Sequence, residues 1–375
     1  DPGEFPISTC MVCDQGWGHD APQLPIEWTI ELSPLGSQTS YAPLALAPRS
    51  GSDGVVVISQ RDADVELLNV SASGETLDAN LLQTSLAIGD VEVGDSVIFF
   101  AALDLDTTAW SVLAATQTGE VLWATPMTSA IQDLAATPEG GVVVAQIAGP
   151  MVGLDAEGSI LWTNPEVMAQ PIGVGVSAKG SIVVGGSEAD LLAASLEFYT
   201  SDGTSLLQVE VPGSAAQLVE LIFLDTRRIF AGGTNFGEAD TENLIALLVD
   251  LDQPELGWTH SSNRTSSSCY FEGTPYEQAS REWFMAAEAL ADGSVLIAAT
   301  EEGPRQEGNA MGGQARVLHV DAQGNLLAAD RGLWYGQARA LARGEAGSAY
   351  AALLKGGYLD GDQPNTGFYL RKYQP

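Results

Sequence analysis

The chain has 375 residues, 45% of them hydrophobic, and its 49 acidic side chains outnumber 15 lysines and arginines, for a formal net charge of −34. This charge opposes binding to nucleic acid and to anionic lipid, because both are polyanions, and it favours cations or basic partners. A halophilic or marine source would produce the same bias without any specific partner. No apolar run approaches the ~18 residues that would span a bilayer, so we expect no transmembrane segment.

The first 25 residues form a predicted tail that contains Cys10 and Cys13, two of the three cysteines. The sequence starts at Asp1 without a methionine or a signal peptide, so we expect that a leader has been removed. Two asparagine sequons, at Asn69 and Asn263, and the low cysteine content fit an exported chain. We therefore expect an extracytoplasmic protein that is secreted, periplasmic or surface-attached.

The part after the tail begins with a strand pattern at residues 26–33 and continues through seven similar units. Residues 135–165 show one whole unit, in which four apolar runs are separated by a Glu-Gly-Gly turn, a loop and an Ala-Glu-Gly turn. The first five copies of the second run recur every 40 to 47 residues and the last two follow at longer intervals, a spacing that matches the period of propeller blades. Its seven copies begin at Asp53, Asp95, Gly140, Gly180, Arg227, Gly293 and Gly347.

The last unit reaches the C-terminus after its third run, and residues 26–33 have the pattern of the missing fourth strand. Pairing of these residues with the C-terminal blade would close the ring and remove exposed sheet edges. The sequence thus predicts an all-β protein. It consists of one seven-bladed β-propeller of four-stranded antiparallel blades over residues 26–375, preceded by the tail at residues 1–25.

Two stretches, Leu113–Trp123 and Val152–Trp162, resemble the Ala/Leu-Asp-x-x-Gly-x-x-x-Trp repeat of PQQ-like propellers. In that family the tryptophan docks one blade against the next, and Trp28 and Trp258 stand at the corresponding place of their units. The last blade is similar to SBBP-type seven-bladed repeats. The resemblance covers nearly the whole propeller. It implies a packing role for these tryptophan side chains, which supply apolar area between blades.

A quinone cofactor is not expected from this resemblance. Quinoprotein dehydrogenases have similar repeats, but they usually have eight blades and a pair of adjacent cysteines beside the cofactor. Cys10 and Cys13 are not adjacent and lie in the tail. Because a fold does not carry its function with it, we expect no PQQ.

The two faces of the predicted ring differ in their loops. The first-to-second and third-to-fourth turns share one face, which we call the turn face, and they are tight. The opposite face, called the loop face, carries the second-to-third hairpins and the links between blades, and its loops are long in blades 5 to 7. Loops that outgrow a rigid scaffold commonly carry binding residues, so the functional surface is predicted there.

Aromatic side chains gather in these long loops and are the predicted ligand-binding residues. They are Tyr270, Phe271, Tyr276, Trp283, Trp334, Tyr335 and Tyr358. Such rings stack on sugar faces or anchor a protein partner. The alternative is that they pack beneath the loops and have a structural role only.

Carboxylates alternate at several hairpin tips, and the segment Asp360 to Asn365 is the best candidate for calcium. Asp360, Asp362 and Asn365 place three oxygen-bearing side chains and a glycine in one tight loop, which suits a hard cation. The loop lacks the bidentate glutamate of an EF-hand. The alternative is that acids at exposed strand ends keep the loops solvated and discourage association.

The three cysteines admit several arrangements. We expect a disulfide between Cys13 in the tail and Cys269 in the long link between blades 5 and 6, because disulfides are favoured in exported proteins. A bridge between Cys10 and Cys13, a metal site that adds His19 and His260, and free thiols are the alternatives.

Nucleophilic catalysis has little support, since the histidines His19, His260 and His319 lack a recognisable nucleophile turn and orienting group. We expect an exported binding or scaffold module, rather than an enzyme, that recognises a protein or a glycan through the acidic, aromatic loop face. A polysaccharide-acting hydrolase or lyase on that face would require two converging carboxylates. A structural subunit of a surface assembly is the third possibility.

Overall fold

The structure, a computed structural model, describes most of the ring but not the first 20 residues. The described ranges are 21–32, 41–49, 52–61, 64–83, 86–165, 170–187, 194–211, 216–236, 242–250, 253–261, 267–271, 274–278, 281–302, 314–330, 336–355 and 367–375. Within them the chain forms seven four-stranded antiparallel sheets and one two-stranded hairpin. This confirms the predicted seven-bladed propeller.

The first four blades follow one another along the chain without interruption, after a strand β1 (Ile26–Leu32). Blade 1 contains β2 (Tyr41–Pro48), β3 (Gly54–Arg61), β4 (Asp64–Ser71) and β5 (Thr76–Gln83). Blade 2 contains β6 (Ala87–Val93), β7 (Val97–Asp104), β8 (Ala109–Thr116) and β9 (Val121–Met127). Blade 3 contains β10 (Ile131–Ala136), β11 (Val142–Gln146), β12 (Met151–Leu154) and β13 (Ile160–Asn164). Blade 4 contains β14 (Gln170–Val176), β15 (Ile182–Ser187), β16 (Ala194–Tyr199) and β17 (Ser205–Val211).

The last three blades include one insertion and the closing strand. Blade 5 contains β18 (Ala216–Phe223), β19 (Arg228–Phe236), β20 (Glu242–Asp250) and β21 (Gln253–Ser261). The insertion is a hairpin of β22 (Ser267–Phe271) and β23 (Thr274–Gln278). Blade 6 contains β24 (Arg281–Ala289), β25 (Val295–Glu302), β26 (Gln314–Val320) and β27 (Leu326–Asp330). Blade 7 contains β28 (Gly336–Arg343), a 3-10 turn (Glu345–Gly347), β29 (Ala349–Lys355) and β30 (Gly367–Tyr373).

The ring is closed by β1, which is the outermost strand of blade 7. It pairs antiparallel with β30, so that Trp28 lies opposite Lys372 and Leu32 lies opposite Phe368. The two ends of the chain thus share one sheet, as the sequence predicts. Closure of this kind leaves no blade with an exposed face.

The hydrophobic core lies between blades rather than inside any one of them. The buried apolar residues of the described part form seven clusters, each built from two neighbouring blades. Second and third strands are buried on both sides, as in β4 and β11, whereas the outermost strand β13 alternates between exposed and partly buried residues. This gradient explains why the second-strand pattern repeats so clearly in the sequence.

Tryptophans on outermost strands dock against the next blade, as the PQQ-like resemblance implies. The Trp123 ring lies against Gly158 in the third-to-fourth turn of blade 3, where an added Cβ would come within 2.5 Å of the ring. Its Nε1 donates to the Ala156 carbonyl at 2.7 Å. Trp28 makes the same kind of contact across the closure, donating to the Ala72 carbonyl at 2.8 Å.

The last residues of the predicted tail extend blade 6. Leu24 N–H donates to the Ala329 carbonyl at 3.0 Å, and Ala329 N–H donates to the Pro22 carbonyl at 2.9 Å, which adds a short parallel segment to the edge of β27. Below it, the buried Asp330 carboxylate accepts from Arg371 Nη1 at 2.5 Å and from Tyr373 hydroxyl at 2.6 Å. The N-terminal segment is therefore fastened to blades 6 and 7 together.

We predict that Leu24→Ala weakens the closed ring. The Leu24 side chain is fully buried in the cluster between blades 6 and 7, so its truncation leaves a cavity and lowers the free energy of unfolding by roughly 2–4 kcal/mol. Urea denaturation followed by tryptophan fluorescence measures this. The control is Leu105→Ala, because Leu105 is 68% exposed, and we expect a change of at most about 0.5 kcal/mol. Equal stability of the two variants would contradict the proposed fastening.

Candidate functional site

The innermost strands of all seven blades share one irregularity. Each contains a β-bulge at the same place, where the ladder to the second strand skips one residue. The skipped residues are Leu44, Gly89, Gln132, Ile172, Val219, Met285 and Arg339. A bulge twists its strand and re-aims the residues that follow, so the residues after it occupy equivalent positions around the central channel.

Five carboxylates occupy these positions. Asp90, Asp133 and Glu220 come directly after the bulges of blades 2, 3 and 5. Glu92 and Glu288 come two residues further along the strands of blades 2 and 6. All five are half-buried. We call them the channel carboxylates.

Each channel carboxylate accepts a hydrogen bond from a backbone N–H on the innermost strand of the next blade. The pairs are Asp90 with Leu134 (3.0 Å), Glu92 with Ala136 (3.0 Å), Asp133 with Val174 (2.6 Å), Glu220 with Ala287 and Glu288 with Arg343. An innermost strand has a sheet neighbour on one side only, so its other edge presents unpaired N–H groups. The carboxylates satisfy these groups and thereby join adjacent blades.

Blade 4 joins blade 5 in a different way at the channel. The two positions that carry acids elsewhere are Gly173 and Gly175. A Cβ on Gly175 would lie 2.2 Å from the Leu221 carbonyl oxygen, and one on Gly173 would lie 2.8 Å from the Leu218 carbonyl oxygen. The backbones of β14 and β18 therefore approach too closely for a side chain, and glycine is required by this contact.

The channel carboxylates hold protons more tightly than ordinary acids. Burial is the largest cause, and it raises the pKa of Glu92 and of Glu288 to about 7 and that of Glu220 to about 8. Neighbouring negative charges raise the pKa of Glu92 and Glu220 further, whereas Arg343 beside Glu288 and the backbone N–H groups oppose the shift.

Asp90 and Asp133 interact with each other across the junction of blades 2 and 3. Burial raises the pKa of both groups, and their side chains share a hydrogen bond. Such a bond requires one carboxyl to carry the proton, because two carboxylates have no donor between them. A carboxyl with a raised pKa is a candidate general acid, but the bond to backbone N–H occupies one oxygen of each. We assign them to the joining of blades.

We predict that the protein is more stable at pH 5 than at pH 8. The folded-state pKa values of about 7 to 8 lie above the ordinary glutamate pKa of 4.5, so the folded protein binds more protons than the unfolded chain between pH 5 and pH 8, and the free energy of unfolding falls as pH rises. The aspartates with a lowered pKa, such as Asp292 and Asp321, change protonation state below this pH range and therefore do not affect the slope. Thermal unfolding at several pH values measures the slope.

Glu220→Gln isolates one of these groups. The amide oxygen can still accept from Ala287 N–H, but the ionisable proton is gone, so we expect the variant to exceed the wild type at pH 8 by on the order of 2 kcal/mol and to match it more closely at pH 5. Glu139→Gln, on an exposed turn, is the control and should follow the wild type. A wild-type stability that is flat or rises from pH 5 to pH 8 would refute the protonated channel.

The predicted loop face gains one feature that the sequence did not reveal. The link from β21 to β24 contains the antiparallel hairpin β22–β23, in which Cys269 lies opposite Tyr276 and Tyr270 lies opposite Pro275. Three of the predicted ligand-binding residues, Tyr270, Phe271 and Tyr276, are thus brought together in one hairpin. Their side chains lie outside the described part of the structure.

The other predicted site residues are largely outside the described ranges. Trp283, at the start of blade 6, is half-buried and lies opposite Thr300, whereas Trp334, Tyr335 and Tyr358 are not described. The calcium residues Asp360, Asp362 and Asn365 and the tail cysteine Cys13 also lie outside, as does the side chain of Cys269. Within the described ranges, no group of three or more His, Cys, Asp or Glu side chains is arranged to hold a metal ion.

His319, on β26, forms a hydrogen bond with the first-to-second turn of its own blade. Its Nε2 lies 2.8 Å from Ser294 Oγ, which donates to Asp292 Oδ1 at 2.6 Å. Since the serine proton is committed to Asp292, the histidine must donate to the serine. Burial lowers the pKa of His319. This arrangement fixes the first-to-second turn and leaves no lone pair on Nε2, the histidine atom that faces the serine, with which to activate it.

Comparisons with known proteins support the fold. Streptogramin B lyase matches with 12% identity and a TM-score of 0.58, covering 92% of this chain and 97% of the lyase. BamB from Moraxella catarrhalis matches with 14% identity and a TM-score of 0.51, covering 92% and 98% of the two chains. BBS1N, solved in complex with ARL6DN, matches with 11% identity and a TM-score of 0.58, covering 95% and 98%.

These likenesses confirm the structural resemblance to PQQ-like propellers and, at such low identity, concern the fold alone. No family model matches the chain. No curated protein matches it either. In the described part of the chain, no helix has the length and apolar character needed to cross a membrane.

Proposed function

We propose that the protein is an exported binding or scaffold module that recognises a protein or a glycan through the loop face of blades 5 to 7. The observation that carries this proposal is the hairpin β22–β23. It occupies a link of 19 residues between Ser261 and Arg281, whereas three residues separate Gln83 from Ala87 at the junction of blades 1 and 2. The link between blades 5 and 6 is thus much longer than this junction requires, and it is rich in aromatic residues.

The composition of the extension suits recognition. Tyr270, Phe271 and Tyr276 lie on two paired five-residue strands, and aromatic side chains are common anchors in recognition. The complex of BBS1N with ARL6DN shows that a propeller of similar fold can associate with a protein. A rigid ring suits this role because loops on it lose little entropy when they bind.

Replacement of residues 267–278 by a glycine-serine linker should abolish recognition and leave the ring intact. We expect binding to a glycan array, or cross-linking to proteins of the native exported fraction, to fall at least about tenfold, because the aromatic anchors are removed. Glu139→Ala, on the turn face, is the control and should bind like the wild type. The thermal midpoint of each variant verifies folding.

The outcomes separate the candidate functions. A ligand that is retained fully by the linker variant would refute the proposal. Cleavage of an array glycan, seen as new reducing or unsaturated ends, would instead support the hydrolase or lyase on the same face. Self-association that is lost in the linker variant would support a subunit of a surface assembly.

Calcium at Asp360, Asp362 and Asn365 is part of this proposal and has its own test. We expect calorimetry to detect one calcium ion bound with a dissociation constant of about 10⁻⁴–10⁻³ M, as in extracellular modules. Binding should be lost in the double variant Asp360→Asn, Asp362→Asn and kept in the matched variant Asp104→Asn, Asp106→Asn, which alters another hairpin with the same spacing. Equal calcium binding by both variants would refute this site.

A further inference from the structure

The outer perimeter of blades 2 and 3 exposes four large aliphatic side chains. Val121 and Leu122 on β9 are 47% and 46% exposed, and Ile160 and Leu161 on β13 are 57% and 66% exposed. The two pairs stand at the same place in their blades, two and three residues after the turn glycines Gly119 and Gly158. Single exposed aliphatic residues are common, but pairs of them at the same place in two neighbouring blades are typical of an interaction surface.

The two pairs flank a single junction. Trp123, which follows Leu122, packs on Gly158 and donates to the Ala156 carbonyl at 2.7 Å. Thr125 Oγ1 donates to the Gly158 carbonyl at 2.7 Å. These contacts fix β9 against the turn that leads into β13, so the two aliphatic pairs are carried by blades that are held rigidly together.

The backbone of Thr163 is available for pairing. β13 is the outermost strand of its sheet, and no backbone hydrogen bond joins Thr163 to a described residue outside that sheet. Thr163 lies opposite Val152, five residues after Gly158, and Ala329 of blade 6 holds the same place opposite Leu318, five residues after Gly324. Thr163 therefore directs its N–H and C=O outward, as Ala329 does.

The chain itself shows how such an edge is used. In blade 6 the outward groups of Ala329 bond to Leu24 N–H and to the Pro22 carbonyl at 3.0 and 2.9 Å. An extended segment is thereby added to the outermost strand of a blade. This is the geometry of strand addition, in which main-chain bonds supply affinity and side chains supply specificity.

Charge indicates what kind of segment would bind to blade 3. Residues 62–178, which include blades 2 and 3, contain 16 aspartates and glutamates and no lysine, arginine or histidine. Exposed Glu120 directly precedes Val121, and exposed Glu157 lies three residues before Ile160. A second copy of a chain with net charge −34 would be repelled, whereas a basic partner would be attracted.

We propose that the outer edge of blade 3 binds an extended, basic segment of a partner protein by strand addition to β13. The segment pairs with the outward backbone groups of Thr163. Its apolar side chains contact Val121, Leu122, Ile160 and Leu161, and its basic side chains face the surrounding carboxylates. This surface lies on the perimeter of blades 2 and 3 and is separate from the loop extension between blades 5 and 6.

A short capped peptide in which valine and lysine alternate is the probe, with an alternating valine and glutamate peptide as its control. Fluorescence anisotropy should show saturable binding of the lysine peptide only. Hydrogen exchange of the complex should show protection of the amides within residues 160–164. Thr163→Pro removes the outward N–H, a change tolerated at a sheet edge, and should weaken binding about tenfold.

Two further variants keep the test decisive. Ala79→Pro makes the same change at the matching place of blade 1, five residues after Gly74, and should bind the peptide like the wild type. Leu161→Lys alters only a solvent-exposed side chain and should weaken binding as much as Thr163→Pro does. The proposal is wrong if neither Thr163→Pro nor Leu161→Lys reduces the affinity for the lysine peptide. It is also wrong if hydrogen-exchange protection falls on residues 267–278 instead. Peptide affinity that changes with salt concentration but with neither substitution would likewise overturn it.

Discussion

The whole molecule depends on the joining of each blade to the next, because a four-stranded blade cannot bury both of its faces alone. The apolar clusters lie between blades, and every cluster draws on two neighbouring sheets. The ring must therefore close for the first and last blades to be covered. β1 accomplishes this by completing blade 7, and the segment Pro22 to Leu24 then fastens blade 6 to the same region.

Several junctions are secured both at the perimeter of the ring and at the channel, by different chemistry. At the perimeter, tryptophans such as Trp28 and Trp123 pack on the turn of the following blade. At the channel, carboxylates of blades 2, 3, 5 and 6 satisfy N–H groups that the innermost strands would otherwise leave unpaired. Between blades 4 and 5, Gly173 and Gly175 allow the two backbones to meet directly.

The channel also concentrates acids in a chain that is already strongly negative. The fold tolerates this because burial keeps several of the carboxyl groups protonated near neutral pH, so that the hydrogen bonds are retained while part of the repulsion is removed. The surfaces proposed for recognition lie elsewhere, on the loop extension beyond β21 and on the perimeter at β13.

The sequence by itself determined the strand content, the number of blades, the closing role of residues 26–33 and the packing role of the tryptophans. These features follow from local periodicity and from turn residues, which are fixed by neighbours along the chain. The tertiary structure alone decided what Asp90, Asp133 and Glu220 do, because their partners are N–H groups about 40 residues or more away on the next blade. In the sequence, Asp90 is simply an acidic residue between Gly89 and Val91. Nothing in this local pattern shows that a bulge turns its side chain toward the channel. The same holds for Pro22 to Leu24 and for the free edge at Thr163, since the pairing of an outermost strand depends on which segment the closed ring brings beside it.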